Sequence, residues 1–345
     1  MTDMQSDYLS CALRQLEALV AIPSPTGFTE RVVDYCIGEF AAMGYAPKRT
    51  AKGGLTVELG GTGDGLLLSA HVDTLGAMVC GVKPGGALRV APVGGLRAQN
   101  IEAETARVYT RSGRVLEGTF QLENASVHVN SEYDKTQRGF DTIELLLDEK
   151  TRSEQQTRAL GVAAGDYVAV APRFAVTQTG YIKSRFLDDK LSAAILLTLA
   201  RYWKDTCAAP RRRVHMMFTV FEEVGHGGAS IPEDVTEMIA VDMGCVGKGL
   251  QCDETMVSIC AMDSRGPSHK AVVDGLVDAA QRAGVRYALD VYPHYGSDAD
   301  AAVCAGHEVR HCVVGPGVYA SHGYERAHIE GLANTFDLLR AYLGI

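Results

Sequence analysis

Apolar positions at helical spacing open the chain: Leu9, Leu13, Leu16 and Val20 predict a helix over residues 7–20, which Pro23 and Pro25 end. Thr29 can cap a second helix, whose apolar face uses Val32, Val33, Cys36, Ile37, Phe40 and Met43, with Gly44 as its stop. Strand-like runs follow at residues 55–59 and 66–70, the second ending in Ser69-Ala70-His71-Val72-Asp73. The pattern then changes. From about residue 76 to 173 it consists of short alternating runs between glycines, such as Leu88-Arg89-Val90, Arg107-Val108-Tyr109-Thr110, Gly118-Thr119-Phe120-Gln121 and Ser126-Val127-His128-Val129. Helical periodicity returns only briefly within 151–160, before a turn and strand over 161–171. Period-two text with glycine punctuation predicts a small inserted β-barrel.

Beyond residue 182 strands and helices alternate. A helix is expected over 187–203, opened by Asp188-Asp189, and a buried strand over 214–221 that delivers Glu222-Glu223 to its carboxyl end. A short strand over 238–241 ends in Asp242-Met243-Gly244, and an amphipathic helix spans 268–283. Tyr295-Gly296-Ser297-Asp298-Ala299 turns into a small-residue helix, a strand covers 311–314, His322 sits in the following loop, and a helix over 329–343 closes the chain. This order predicts an α/β fold: a mixed sheet between helical layers (α/β/α), formed by residues 1–75 and 174–345, with the β-barrel inserted at 76–173.

Composition narrows the function. At 345 residues and 46% hydrophobic content the chain can build a large core. A formal net charge of -9 argues against nucleic-acid or anionic-membrane partners, and the triplet Arg211-Arg212-Arg213 reads as a solvated strand entry. No apolar run has the length that spans a bilayer. The first 19 residues lack the basic-then-apolar text of a secretory leader. The nine cysteines are odd in number and none has C-x-x-C spacing, as expected of reduced thiols in the cytoplasm. The glycines of Gly244-Cys245-Val246-Gly247-Lys248-Gly249 lack both the spacing of a phosphate loop and its Ser/Thr.

Candidate chemistry lies at strand ends and helix starts: His71 with Asp73, Asp188, Glu223, Asp242 and His322. Singly, each has a bland reading. His71 and His322 would be ordinary histidines, Asp188 a helix cap, Asp242 a turn residue, and the Glu222-Glu223 pair a solvated strand exit. Jointly, the bland readings require five coincidences. His, Asp and Glu suit zinc, cobalt or manganese. Two histidines and three carboxylates exceed the needs of one catalytic ion and suit two, about 3.5–4 Å apart with one carboxylate bridging. Glu222 then becomes the natural general base. Among the remaining histidines, His226 follows the Glu pair closely enough to line a pocket.

In order and separation, His71-Val72-Asp73, Phe186-Leu187-Asp188-Asp189-Lys190, Phe221-Glu222-Glu223-Val224-Gly225, Val241-Asp242-Met243 and Ser321-His322-Gly323 resemble the co-catalytic aminopeptidases of metallopeptidase family 42, the glutamyl-aminopeptidase or tetrahedral (TET) type. Gly296-Ser297-Asp298-Ala299 is similar to that family's Gly-Thr-Asp-Ala signature, and 160–166 resembles the stretch closing its inserted domain. The resemblance covers nearly the whole chain. It implies that His71 and Asp242 hold one ion, Glu223 and His322 the other, and Asp188 both. Asp73 would orient His71 by accepting its second ring N–H. It also implies dimer contacts through the barrel and assembly of dimers into dodecamers. Thr74, Lys190 and Gly227 depart from the family's usual Glu, Arg and Arg, and none of these departures removes a ligand.

The expected reaction is hydrolysis of N-terminal residues from peptides with a free N-terminus, through a metal-bridging hydroxide with Glu222 as base. The alternative is a related di-metal amidohydrolase of the aminoacylase or dipeptidase type. The β-like insert after the first ligand favours the aminopeptidase.

Overall fold

Four parallel strands carry the larger unit in the computed structural model, which describes residues 3–208 and 210–345. Met1 and Thr2, part of the segment read for a leader, and Ala209 lie outside the described residues. The four strands are Arg213–Thr219, Gly65–His71, Val235–Val241 and Arg310–Tyr319, neighbours in that order. Antiparallel strands flank them: Leu55–Gly60 beside Arg213–Thr219 on one side, Glu325–His328 and Val257–Met262 beside Arg310–Tyr319 on the other. Among the described residues the mixed sheet has twelve strands.

The strand Gly65–His71 is buried at every position, because both faces of the sheet are covered. Leu66 and Leu68, with Met216, Phe218, Ile239, Val241, Cys312 and Val314, join a core built with the helices Asp3–Ala21, Glu30–Ala42, Leu187–Thr206, Lys270–Ala283 and Ile329–Leu343. The residues between them, Leu67, Met217, Met238, Ala240 and Val313, face the other way and pack with Ala299 and Ala302 of the helix Asp298–Cys304. Period-two alternation thus sorts one set of strands into two cores. Each fully buried Leu contributes about 1.5–3 kcal/mol relative to exposure.

Several elements differ from expectation. The central strand stops at Thr219 rather than Phe221. Phe221 takes a left-handed φ of 70°, and Glu222–Val224 forms a 3-10 turn. Thr29 occupies the cap position of Glu30–Ala42, but its side chain makes no capping hydrogen bond. Lys190 is fully buried, donating to the carbonyls of Leu19 at 2.9 Å and Ile22 at 2.7 Å, where the first helix ends.

The chain divides into two compact units, Met1–Asp73 with Arg173–Ile345, and Thr74–Pro172. The second is a closed antiparallel barrel of Gly76–Val82, Leu88–Val93, Thr105–Tyr109, Val115–Leu122, Ile143–Leu147 and Tyr167–Val170. Val79, Leu88, Val108, Phe120, Leu145 and Val168 fill its interior. Closure removes the exposed edges an open sheet would leave. A Cβ at Gly118 would lie 2.4 Å from the Leu146 carbonyl oxygen, so the strands meet there only because that position lacks a side chain. Ser126-Val127-His128-Val129 is not a strand. It coils into local turns, with the N–H groups of Val129 and Asn130 donating to the Ser126 carbonyl, and Val127 and Val129 are exposed. The short strand Ile143–Leu147, unmarked by alternation in the sequence, completes the barrel instead.

Candidate metal centre

Every candidate ligand lies at the carboxyl end of the parallel strands, where open α/β sheets place their sites. His71 is the last residue of its strand and pairs with Thr219 across the sheet. Asp242 immediately follows Val235–Val241. Glu222 and Glu223 follow Arg213–Thr219 on their 3-10 turn, and His322 follows Arg310–Tyr319. Asp188 and Asp189 open the helix Leu187–Thr206, but their backbone is not yet helical, and the peptide between them is cis. Phe186, two residues before Asp188, and Phe221, immediately before Glu222, are left-handed, as is His322 itself with φ 63°. A non-glycine residue held there costs about 1–3 kcal/mol, and such outliers gather at functional sites.

Asp188 lies between the two histidines. Its Oδ1 is 3.0 Å from His71 Nε2 and its Oδ2 is 3.5 Å from His322 Nε2. Glu223 Oε2 is 3.7 Å from His322 Nε2, and Glu222 Oε2 is 3.6 Å from His71 Nε2. Two sets of possible ligand atoms each lie within 4.8 Å of one another: His71, Asp189 and Asp242, and Asp188, Glu223 and His322. Asp188 touches both sets through its two oxygens.

Burial and crowding set the charges. Burial, reinforced by Asp188, pushes Asp242 up to about 7 and Glu223 well above the usual carboxylate range. Burial also pushes Glu222 well up, with Asp242 and Asp298 adding repulsion. Asp188 moves the other way: hydrogen bonds from His322 and His71 outweigh its burial. A hydrogen bond to Asp188 raises His322 to about 9. Burial opposes the protonated form of His71, but Glu222 and Asp188 outweigh it and raise its pKa. The carboxylates of Asp188, Glu222, Glu223 and Asp242 share this space with two imidazoles, and a divalent cation held among them would let all four acids ionise. The oxygen and nitrogen donors fit borderline divalent ions. Asp189 Oδ1 is also buried without a hydrogen-bond partner.

The supporting contacts include some the sequence did not suggest. His71 Nδ1 lies 3.0 Å from the Asp73 main-chain carbonyl and 3.6 Å from its carboxylate, so the closer partner is the backbone. The Asp73 carboxylate instead accepts the N–H of Glu222 at 3.2 Å, the N–H of Glu223 at 3.4 Å and the Thr26 hydroxyl at 2.7 Å. It thereby holds the Glu222-Glu223 turn. Asp189 Oδ2 accepts the His71 N–H at 3.2 Å. Glu325 accepts the N–H of Asp188 and of His322. The sequence pointed to Asp189 only as the second acid of a pair. Glu325 carried no signal in the sequence. His226 is exposed, stacks on Phe221 at 5.2 Å, and lies 3.2 Å through Nδ1 from Lys52 Nζ.

The profile described as M42 glutamyl aminopeptidase matches residues 53–338. The chain belongs to this family. It is a hydrolase acting on peptides, with the aminopeptidase activity of its family. Among relatives of this M42 member, YhfE of Bacillus subtilis (strain 168), whose own aminopeptidase designation is provisional, is 41% identical over 331 residues, 95% of this chain and 96% of YhfE. Solved structures that share the fold include two TET peptidases. A TET aminopeptidase from a marine-sediment Thaumarchaeota archaeon has a TM-score of 0.87 at 18% identity, covering 96% of both chains. The Pyrococcus horikoshii TET1 peptidase, which can assemble into a tetrahedron or a large octahedral shell, has 0.85 at 24%, covering 96% of this chain and 99% of its own.

Proposed function

We propose that this aminopeptidase cleaves the N-terminal residue from peptides using two divalent ions per subunit, zinc or else cobalt or manganese. The observation that carries the reading is the position of Asp188, with one oxygen toward His71 and the other toward His322. His71 and Asp242 would hold one ion, Glu223 and His322 the other, and Asp188 both. Bound in this way, such ions acidify water and polarise a scissile carbonyl. Glu222 is the general base: its Oε2 takes the proton from the attacking water and returns it to the leaving amine. Burial supports this role by keeping the proton affinity of Glu222 high. Asp73 fixes the base by holding the main chain of its turn. A free α-amino group would be part of what the site recognises, and acylation would remove its lone pair and its charge.

The same reading extends to assembly and location. The barrel Thr74–Pro172 mediates dimer contacts, and dimers assemble further, up to a dodecamer such as the one the PhTET1-12s structure holds. All nine cysteines are free thiols, as suits a reducing cytoplasm. Among the described residues no helix is long and apolar enough to cross a membrane. The net charge of -9 gives no support to a nucleic-acid partner.

The test is metal content by elemental analysis alongside hydrolysis of free and N-acylated aminoacyl anilides. Two metals per chain with cleavage of free N-termini is the expected result. Cleavage only of acylated substrates would favour the aminoacylase type. Glu222→Gln should lower kcat by on the order of 100- to 10,000-fold with metal retained; wild-type turnover in that variant would end the base assignment.

A further inference from the structure

The Gly296-Ser297-Asp298-Ala299 turn takes no part in the chemistry above, yet its carboxylate lies against the turn that carries Glu222. Asp298 is 3% exposed. Its Oδ2 accepts the Thr219 hydroxyl, and its Oδ1 accepts the Gly228 N–H at 2.6 Å. Thr219 ends the strand before the Glu pair, and Gly228 lies beyond the pair, so one carboxylate joins both ends of the excursion. The contact is tight. A Cβ at Gly227 would stand 2.4 Å from Asp298 Oδ1 and 3.0 Å from Glu222 N, and a Cβ at Gly228 would stand 2.1 Å from the Asp298 carbonyl oxygen.

The anchor is itself fixed. Ser297 caps the helix Asp298–Cys304 by accepting the Ala299 N–H at 3.2 Å, and the Asp300 carboxylate accepts the Ser297 N–H at 2.9 Å. Both partners of that capping box are buried, so the start of this helix is a rigid post.

We propose that Asp298 is a positioning residue for Glu222: by clasping Thr219 and Gly228 it sets where the Glu222 carboxylate stands relative to His71 and Asp188. The inference rests on Glu222 being the base. Metal binding should survive loss of the clasp, because four of the five proposed ligands, His71, Asp188, Asp242 and His322, come from other elements, and Glu223, which shares the turn, keeps its own anchor in the Asp73 carboxylate that accepts its N–H. The cost falls on alignment of the proton acceptor, which a displacement of about 1 Å can make 100-fold.

The test compares metal-loaded full-length Asp298→Ala, Asp298→Asn, Thr219→Val and Glu222→Gln with the wild type. Asp298→Ala should lose about 100-fold in kcat with KM nearly unchanged. Asp298→Asn should recover most of that loss, since its amide oxygen can accept the Gly228 N–H while its NH2 donates to Thr219 Oγ1. Thr219→Val keeps the shape of the side chain, removes the hydroxyl and should lose about tenfold in kcat; it decides the matter if Asp298→Ala does not fold. Elemental analysis should find wild-type metal content in all of them. Near-wild-type kcat in Asp298→Ala and Thr219→Val beside an inactive Glu222→Gln overturns the clasp and leaves the base reading intact. Wild-type kcat in Glu222→Gln removes the base reading, and the clasp with it. Metal lost together with activity in Asp298→Ala would make Asp298 a support of the ligands instead, and so also overturns the proposal.

Discussion

Glu325 accepts the main-chain N–H of Asp188 at 3.1 Å across 137 positions of sequence. Its other oxygen accepts the N–H of His322 at 3.0 Å. A single buried carboxylate therefore sets the spacing between the residue facing both histidines and one of those histidines. Glu325→Gln would leave one acceptor oxygen for two donors and turn an amide NH2 toward a main-chain N–H. Disturbing such an orienting contact costs about 10- to 100-fold in metal affinity. Calorimetric titration of metal-stripped Glu325→Gln should show that weakening for at least one ion. An isotherm matching the wild type would mean that Glu325 does not orient the ligands.

The metal-free protein should lose stability as pH rises from about 4 to about 7. Asp242 is raised to about 7 and Glu325 to about 8, both by burial and by Asp188. Between the ordinary carboxylate pKa, roughly 4, and these raised values the folded state binds more protons than the unfolded one, so stability falls with pH. Above pH 7 Lys190 works the other way, because burial lowers its ammonium to about 7 and the unfolded chain then binds the extra proton. Thermal melts in chelator at pH 5 and pH 7 should show the lower Tm at pH 7. Bound metal takes the place of the protons, so the loaded protein should show a smaller drop or a rise. A metal-free Tm that climbs from pH 5 to pH 7 would contradict the assignment of these raised groups.

The structure supplies a local reason for a residue without a side chain at Gly227. Gly227→Ala places a Cβ 2.4 Å from Asp298 Oδ1, so the Glu222 turn or the helix start must move. Such overpacking costs typically about 1–3 kcal/mol. A lower urea midpoint with reduced kcat is expected, and Gly227→Arg should be no better tolerated. An unchanged midpoint would show that the turn has room the structure does not display.

Chelation should abolish turnover and lower Tm, and zinc, cobalt or manganese should restore both. An ion supplied at 100 times its Kd stabilises the folded state by about 2.7 kcal/mol. His71→Ala and His322→Ala should each lower the metal content found by elemental analysis. Full turnover in a protein stripped of metal would remove the ions from the mechanism.

Much of the architecture was legible because hydrophobic periodicity is a local property. The closing helix was expected over 329–343 and is Ile329–Leu343; the helix expected over 268–283 is Lys270–Ala283. Failures came where periodicity had no neighbour to act on. Val127 and Val129 alternate as a strand would, but no barrel strand pairs with them, and they remain exposed in turns. Ile143–Leu147 lacks clear alternation, yet it pairs with Val115–Leu122 and is a strand.

For the candidate site, the order of His71, Asp188, Glu222, Glu223, Asp242 and His322 along the chain was visible, because each falls near the end of a strand or, for Asp188, at the start of a helix. The convergence of all but Asp188 at one end of the sheet follows from the parallel direction of the four central strands, and the helix Leu187–Thr206 brings in Asp188. How they are held is another matter. The Asp73 carboxylate on the Glu222 turn, Glu325 on Asp188 and Asp298 on Gly228 join residues 149, 137 and 70 positions apart. The sequence by itself determined which residues could hold ions and which runs would be buried, because chemical type and hydrophobic period belong to the residues and their near neighbours. Only the tertiary structure decided which carboxylate grips which N–H, because a hydrogen bond depends on distance and direction in space, and neither leaves a period in the sequence.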